Sequence, residues 1–156
     1  DDHAIVLHGL LPTSESGAPI DCTADAAPLP WREAATMADI MGSAAMAMEA
    51  WQDHGRCSGL SPKDYFAASR AAFEKMVQPP ILITIDHDIR LPASVVRDAF
   101  VDLNPGLRRS MITITCEGEA IDDARICLDR DLTPRPCGPA PGTECRLKDA
   151  LLSAAR

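Results

Sequence analysis

The sequence predicts an α+β fold stapled by disulfides. Three observations predict it: residues of helical spacing dominate the first half, alternating β-branched residues gather in the second, and cysteines are even in number without metal-type pairs. In the first half, Met37, Ile40, Met41, Ala44, Ala45 and Met48 recur at three and four, which predicts a helix over residues 32–50 with a packed apolar stripe. Ser61-Pro62-Lys63-Asp64 predicts a helix start, with Ser61 as cap, Pro62 in the first turn and Asp64 at the capping-box position. Pro79-Pro80 ends that helix, and Ile81 to Ile85 reads as a strand. Ser94 is expected to cap a further helix carrying Val95, Val96, Ala99, Phe100 and Leu103, stopped by Asn104-Pro105-Gly106. Met111 to Cys116 and Ala124 to Leu128 read as strands, as does Ala4 to Leu7, which leads into His8-Gly9. Residues 12–31 are rich in Pro, Ser, Gly and Asp and predict a long loop.

A chain of 156 residues suits a single domain with a sizeable core, taken as 1–156. No apolar run reaches the roughly 18 residues of a membrane span. Net charge is −8 and pI about 4.8. That balance disfavours a protein that grips many phosphates at once, which needs clustered Lys and Arg, but allows one that handles a single phosphate in a cleft. The six cysteines, at 22, 57, 116, 127, 137 and 145, form no CxxC pair and therefore point to disulfides rather than a zinc or redox motif. Their spacing leaves the pairing open. Disulfides imply an oxidising compartment, periplasmic or secreted.

Of four histidines, His8 and His54 sit next to glycines, where two imidazoles could serve as acid and base near neutral pH. His3 and His87 read as surface residues. Glu49, Asp53, His54 and His8 could also converge as metal ligands, a reading with no other support; no metal and no cofactor are expected.

Leu7-His8-Gly9-Leu10-Leu11-Pro12 resembles the first motif of the ribonuclease T2 family, HGLWP, with Leu11 replacing Trp. Glu49-Ala50-Trp51-Gln52-Asp53-His54-Gly55-Arg56-Cys57 resembles the second, HEWxKHGTC. Ser58 to Phe66, Asn104 to Leu107 and Ile126 to Cys137 are similar to bacterial members in the same order. The resemblance implies an antiparallel sheet packed with helices, and disulfides Cys22–Cys57, Cys116–Cys145 and Cys127–Cys137. It implies cleavage of single-stranded RNA to 2',3'-cyclic phosphates, with His54 as base and His8 as acid. The family's strand preceding the first motif has no counterpart here.

The supporting residues depart from that pattern. Glu49, Ala50 and Asp53 stand where the family has His, Glu and Lys. At i,i+4 spacing Ala50 deprives His54 of its acidic neighbour. Glu49 and Asp53 place two carboxylates where substrate phosphate is expected. Leu11 removes an aromatic surface for base stacking, worth roughly 1–3 kcal/mol. Arg56, where the family has Thr, supplies one positive charge. Trp51 is expected in the core. Transphosphorylation should therefore be severely impaired, since losing one preorganised group costs about 100- to 1,000-fold. The alternative is a catalytically inactive homologue that binds RNA, a nucleotide or a protein partner.

Overall fold

The computed structural model describes residues 5–13, 22, 28–138 and 144–154. The chain is α+β with a four-stranded mixed sheet and three disulfides, and forms two compact units that meet in sequence at Lys75 and Met76.

The first unit is helical among its described residues. The stripe expected as one helix over 32–50 is broken into α1 (Trp31–Ala35), α2 (Ala38–Met41) and α3 (Ala44–Asp53). Gly42 closes α2 with its N–H on Ala38 O, and Ser43 restarts the chain by accepting the Met46 N–H at 3.1 Å. Chain direction changes twice, yet Ala34, Met37, Ile40, Met41, Ala47, Ala50 and Trp51 all reach one core. α4 (Pro62–Lys75) starts as its residues predict: the Ser61 hydroxyl accepts from Asp64 N–H at 3.1 Å. Its Tyr65 and Phe66 enter the same core. On the outer side Arg70 forks onto Asp39 at 2.7 and 2.8 Å and donates to Thr36 O at 2.9 Å, tying α4 to α2 and to the link that precedes it. Of the strand expected at 4–7, Ala4 lies outside the described residues and the rest is not in a sheet; Leu7 N–H donates to Ile40 O at 2.7 Å instead. Most of the predicted 12–31 loop also lies outside the described residues, as does His3.

The second unit holds the sheet. Residues 81–85, expected as a strand, lie largely in a short helix, α5 (Pro80–Thr84). Pro80 fits the first helical turn, and the Thr84 hydroxyl donates back to Pro80 O at 3.0 Å. α6 (Ala93–Leu103) begins one residue before the expected cap. Pro92 takes the cap position, and the Ala93 N–H is satisfied by Leu147 O at 3.0 Å rather than by Ser94. Buried Asn104 ends α6, donating to Phe100 O and Val77 O and accepting from Val77 N–H, all at 2.8–2.9 Å.

The strands are β1 (Ile89–Leu91), β2 (Ile112–Glu117), β3 (Ala120–Ile126) and β4 (Ala150–Leu152), in spatial order β1-β4-β3-β2. The sheet is not wholly antiparallel, as the resemblance implied. β4 returns between β1 and β3, antiparallel to the former and parallel to the latter. α6 covers the sheet through Val96 and Phe100, which pack with Ile112 and Ile114. His87 is exposed and bonded to Asp86 at 2.6 Å.

Cys22 is joined to Cys57, Cys116 to Cys145 and Cys127 to Cys137, the pairs the resemblance implied. Cys145 N–H also donates to Ile114 O at 2.7 Å, so the second bridge pins its segment onto β2. Replacing both Cys116 and Cys145 by Ala should cost about 3–4 kcal/mol in urea unfolding, given a sequence separation of 29. A loss under about 1 kcal/mol would mean that backbone bonding alone holds the segment.

Candidate functional site

The site is built on the exposed side of α3. Met46, Glu49, Ala50 and Asp53 lie within two turns of one another, and His54 follows as the C-cap. The segment carrying Leu7 and His8 completes a pocket of about 80 Å³ lined by Leu7, His8, Met46, Glu49, Ala50, Asp53 and His54. That is room for a few waters or one small anion. The two histidine-bearing motifs are thus brought together, and with them Glu49, Ala50 and Asp53. His8 is exposed and His54 half-buried. Leu11 is half-buried and does not line the pocket.

Glu49 and Asp53 are both exposed at the pocket and contribute a formal charge of −2. The helix adds to it. Asp53 is in the last turn of α3 and His54 caps it, so the pocket lies at the negative end of the helix dipole. A phosphate entering here meets repulsion from both sources.

Arg56 faces elsewhere. Its Nε donates to Gln52 O at 2.6 Å and its Nη2 to Cys22 O at 2.9 Å, so it binds the end of α3 to the disulfide-linked segment. It lines a separate cleft of about 350 Å³ with Pro28, Leu29, Met48, Trp51, Gln52 and Asp53. Asp53 is common to both cavities. Among the described residues no group of three His, Cys, Asp or Glu side chains could hold a metal ion.

Beneath the pocket lies Tyr65, fully buried, with its hydroxyl donating to Leu10 O at 2.9 Å. The sequence pointed to this helix but not to this role; the signal was a lone tyrosine one turn after a helix cap. Burial pushes its phenol up to about 12. The folded-state value exceeds the ordinary value near 10, so the fold favours the neutral phenol. That stability is complete below about pH 10 and is lost as pH rises to about 12, roughly 2–3 kcal/mol in all. Tyr65 is the only tyrosine, so tyrosinate absorbance reports it alone. Stability should fall over this window in the wild type and stay flatter in Tyr65→Phe; ionisation near pH 10 in the folded protein would refute the shift.

No protein-family model, curated protein or solved structure matches this chain.

Proposed function

We propose that this chain is a ribonuclease T2-like protein, acting on single-stranded RNA or a nucleotide in a periplasmic or secreted setting, with transphosphorylation reduced to a trace or lost. The observation that carries this reading is the convergence of His8 and His54, from two separate motifs, on one pocket. In the reaction so read, His54 takes the proton from the 2'-hydroxyl as it attacks phosphorus, and His8 protonates the departing 5'-oxygen. The phosphorane gains charge beside Glu49 and Asp53, and this is why the rate should be low. Three disulfides suit an oxidising compartment, and no helix among the described residues is long and apolar enough to cross a membrane.

A second reading is an inactive homologue that binds RNA or a protein partner. The paired carboxylates at the pocket favour it, because they oppose a phosphate gaining charge.

Incubation of the purified protein with single-stranded RNA tests both. The first reading expects slow release of 2',3'-cyclic phosphate ends that disappears in His54→Ala, whereas saturable nucleotide binding without turnover would favour the inactive, RNA-binding homologue. Cleavage at a rate typical of enzymes, around 10 per second, would show that the carboxylates do not impair the site. Neither cleavage nor nucleotide binding would leave the protein-binding reading.

A further inference from the structure

Two glycines follow the two pocket histidines, and one side chain fills the space that both leave open. Gly9, after His8, has φ +120°, and a Cβ there would lie 2.5 Å from the Tyr65 hydroxyl. Gly55, after His54, is buried, and a Cβ there would lie 2.8 Å from Tyr65 Cδ1 and 2.5 Å from Trp51 Cε3. The Tyr65 hydroxyl donates to Leu10 O, two residues past His8, while its ring meets Trp51 edge-on with centroids 5.8 Å apart.

We infer that Tyr65 is a positioning residue that couples the two histidine-bearing segments, its hydroxyl setting the His8 segment and its ring setting the His54 turn. The two ends of one rigid side chain then fix the separation of the imidazoles. Displacement on one side is passed to the other, because the ring has no free space beside Gly55 and the hydroxyl has none beside Gly9. This coupling needs no catalysis and stands apart from the ribonuclease reading.

The test is made on the full chain by NMR, with the imidazole titration curves of His8 and His54 and amide exchange at Leu7 as readouts. Tyr65→Phe keeps the ring and removes only the bond to Leu10. It should move the His8 curve and speed exchange at Leu7 about fivefold, the equivalent of one neutral hydrogen bond, while the His54 curve superimposes on that of the wild type. Gly9→Ala should push on the hydroxyl and move the resonances of Gly55 and His54 as well. If Gly9→Ala does not fold, Trp51→Phe replaces it: altering the contact on the ring should move the resonances of Gly9 and His8 as well as those of His54, and no change at Gly9 and His8 overturns the inference. The inference is overturned if Tyr65→Phe lowers the denaturation midpoint while both curves and the Leu7 exchange stay as in the wild type, which would mark a purely structural role. It is overturned equally if Gly9→Ala moves only residues 7–11. Neither readout uses RNA, so failure of the coupling and absence of ribonuclease activity are separate results.

Discussion

The double variant Ala50→Glu/Asp53→Lys should release cyclic phosphate from RNA about 100- to 1,000-fold faster than the wild type. Asp53→Lys has the larger share. It changes the pocket charge by two units at the position where Asp53 lines the wall, and puts a cation in the last turn of α3, where the helix dipole favours one. The same change should add about 0.3–1 kcal/mol to stability. Ala50→Glu restores an acidic neighbour one turn before His54. Ala50 is buried in the core and touches the pocket, so the longer side chain must extend into the pocket and should lower stability. Adding His54→Ala to this background should abolish the gain. Variant and wild type indistinguishable within threefold would mean that the carboxylates are not what limits the site, and attention would turn to Leu11.

Trp51→Ala should destabilise the protein by about 3–5 kcal/mol, the range for removing a large buried aromatic. Trp51 is 5% exposed, packs edge-on against Tyr65 and leaves no room for a side chain at Gly55. Its loss opens a void beneath the histidine turn that neighbouring backbone cannot fill. Chemical denaturation measures the effect, and Trp31, 61% exposed, remains as a fluorescent probe. A loss below about 1 kcal/mol, together with weakened nucleotide binding, would assign Trp51 to ligand contact rather than packing. Trp51→Phe should lose less, because it keeps a ring against Tyr65.

Much of the fold could be read from the residues because the signals were local. The Ser61 cap and the alternation at 112–116 each specify their element within a few positions. The errors arose where composition and periodicity misled or were too short to read. Ile81 to Ile85 has strand composition, yet Pro80 at the first turn starts a helix there. β1 and β4 are three residues each, too short to show a period, and β4 makes the sheet mixed. The apolar stripe of 32–50 kept its contacts through two breaks, because a stripe records which residues are buried and not whether the axis continues. In the site, the pocket brings His8, His54, Glu49, Ala50 and Asp53 together, whereas Arg56 bonds to backbone carbonyls along a different cleft. Tyr65 could not be found by motif, because its role depends on filling the room that two distant glycines leave by having no side chain.

The order of the cysteines imposes an order on oxidation. Among the six, Cys22 and Cys57 precede the others in the chain, so pairing these neighbours as they appear gives the native bond. The same rule fails next: Cys116 meets Cys127 before its true partner, Cys145, has arrived. The closely spaced pair Cys127–Cys137 must close while Cys116 waits, or a wrong bond must be exchanged. Among these six cysteines, thiol–disulfide exchange is therefore called for within residues 116–145, whereas the bond beside the pocket histidines joins cysteines that follow one another in the sequence.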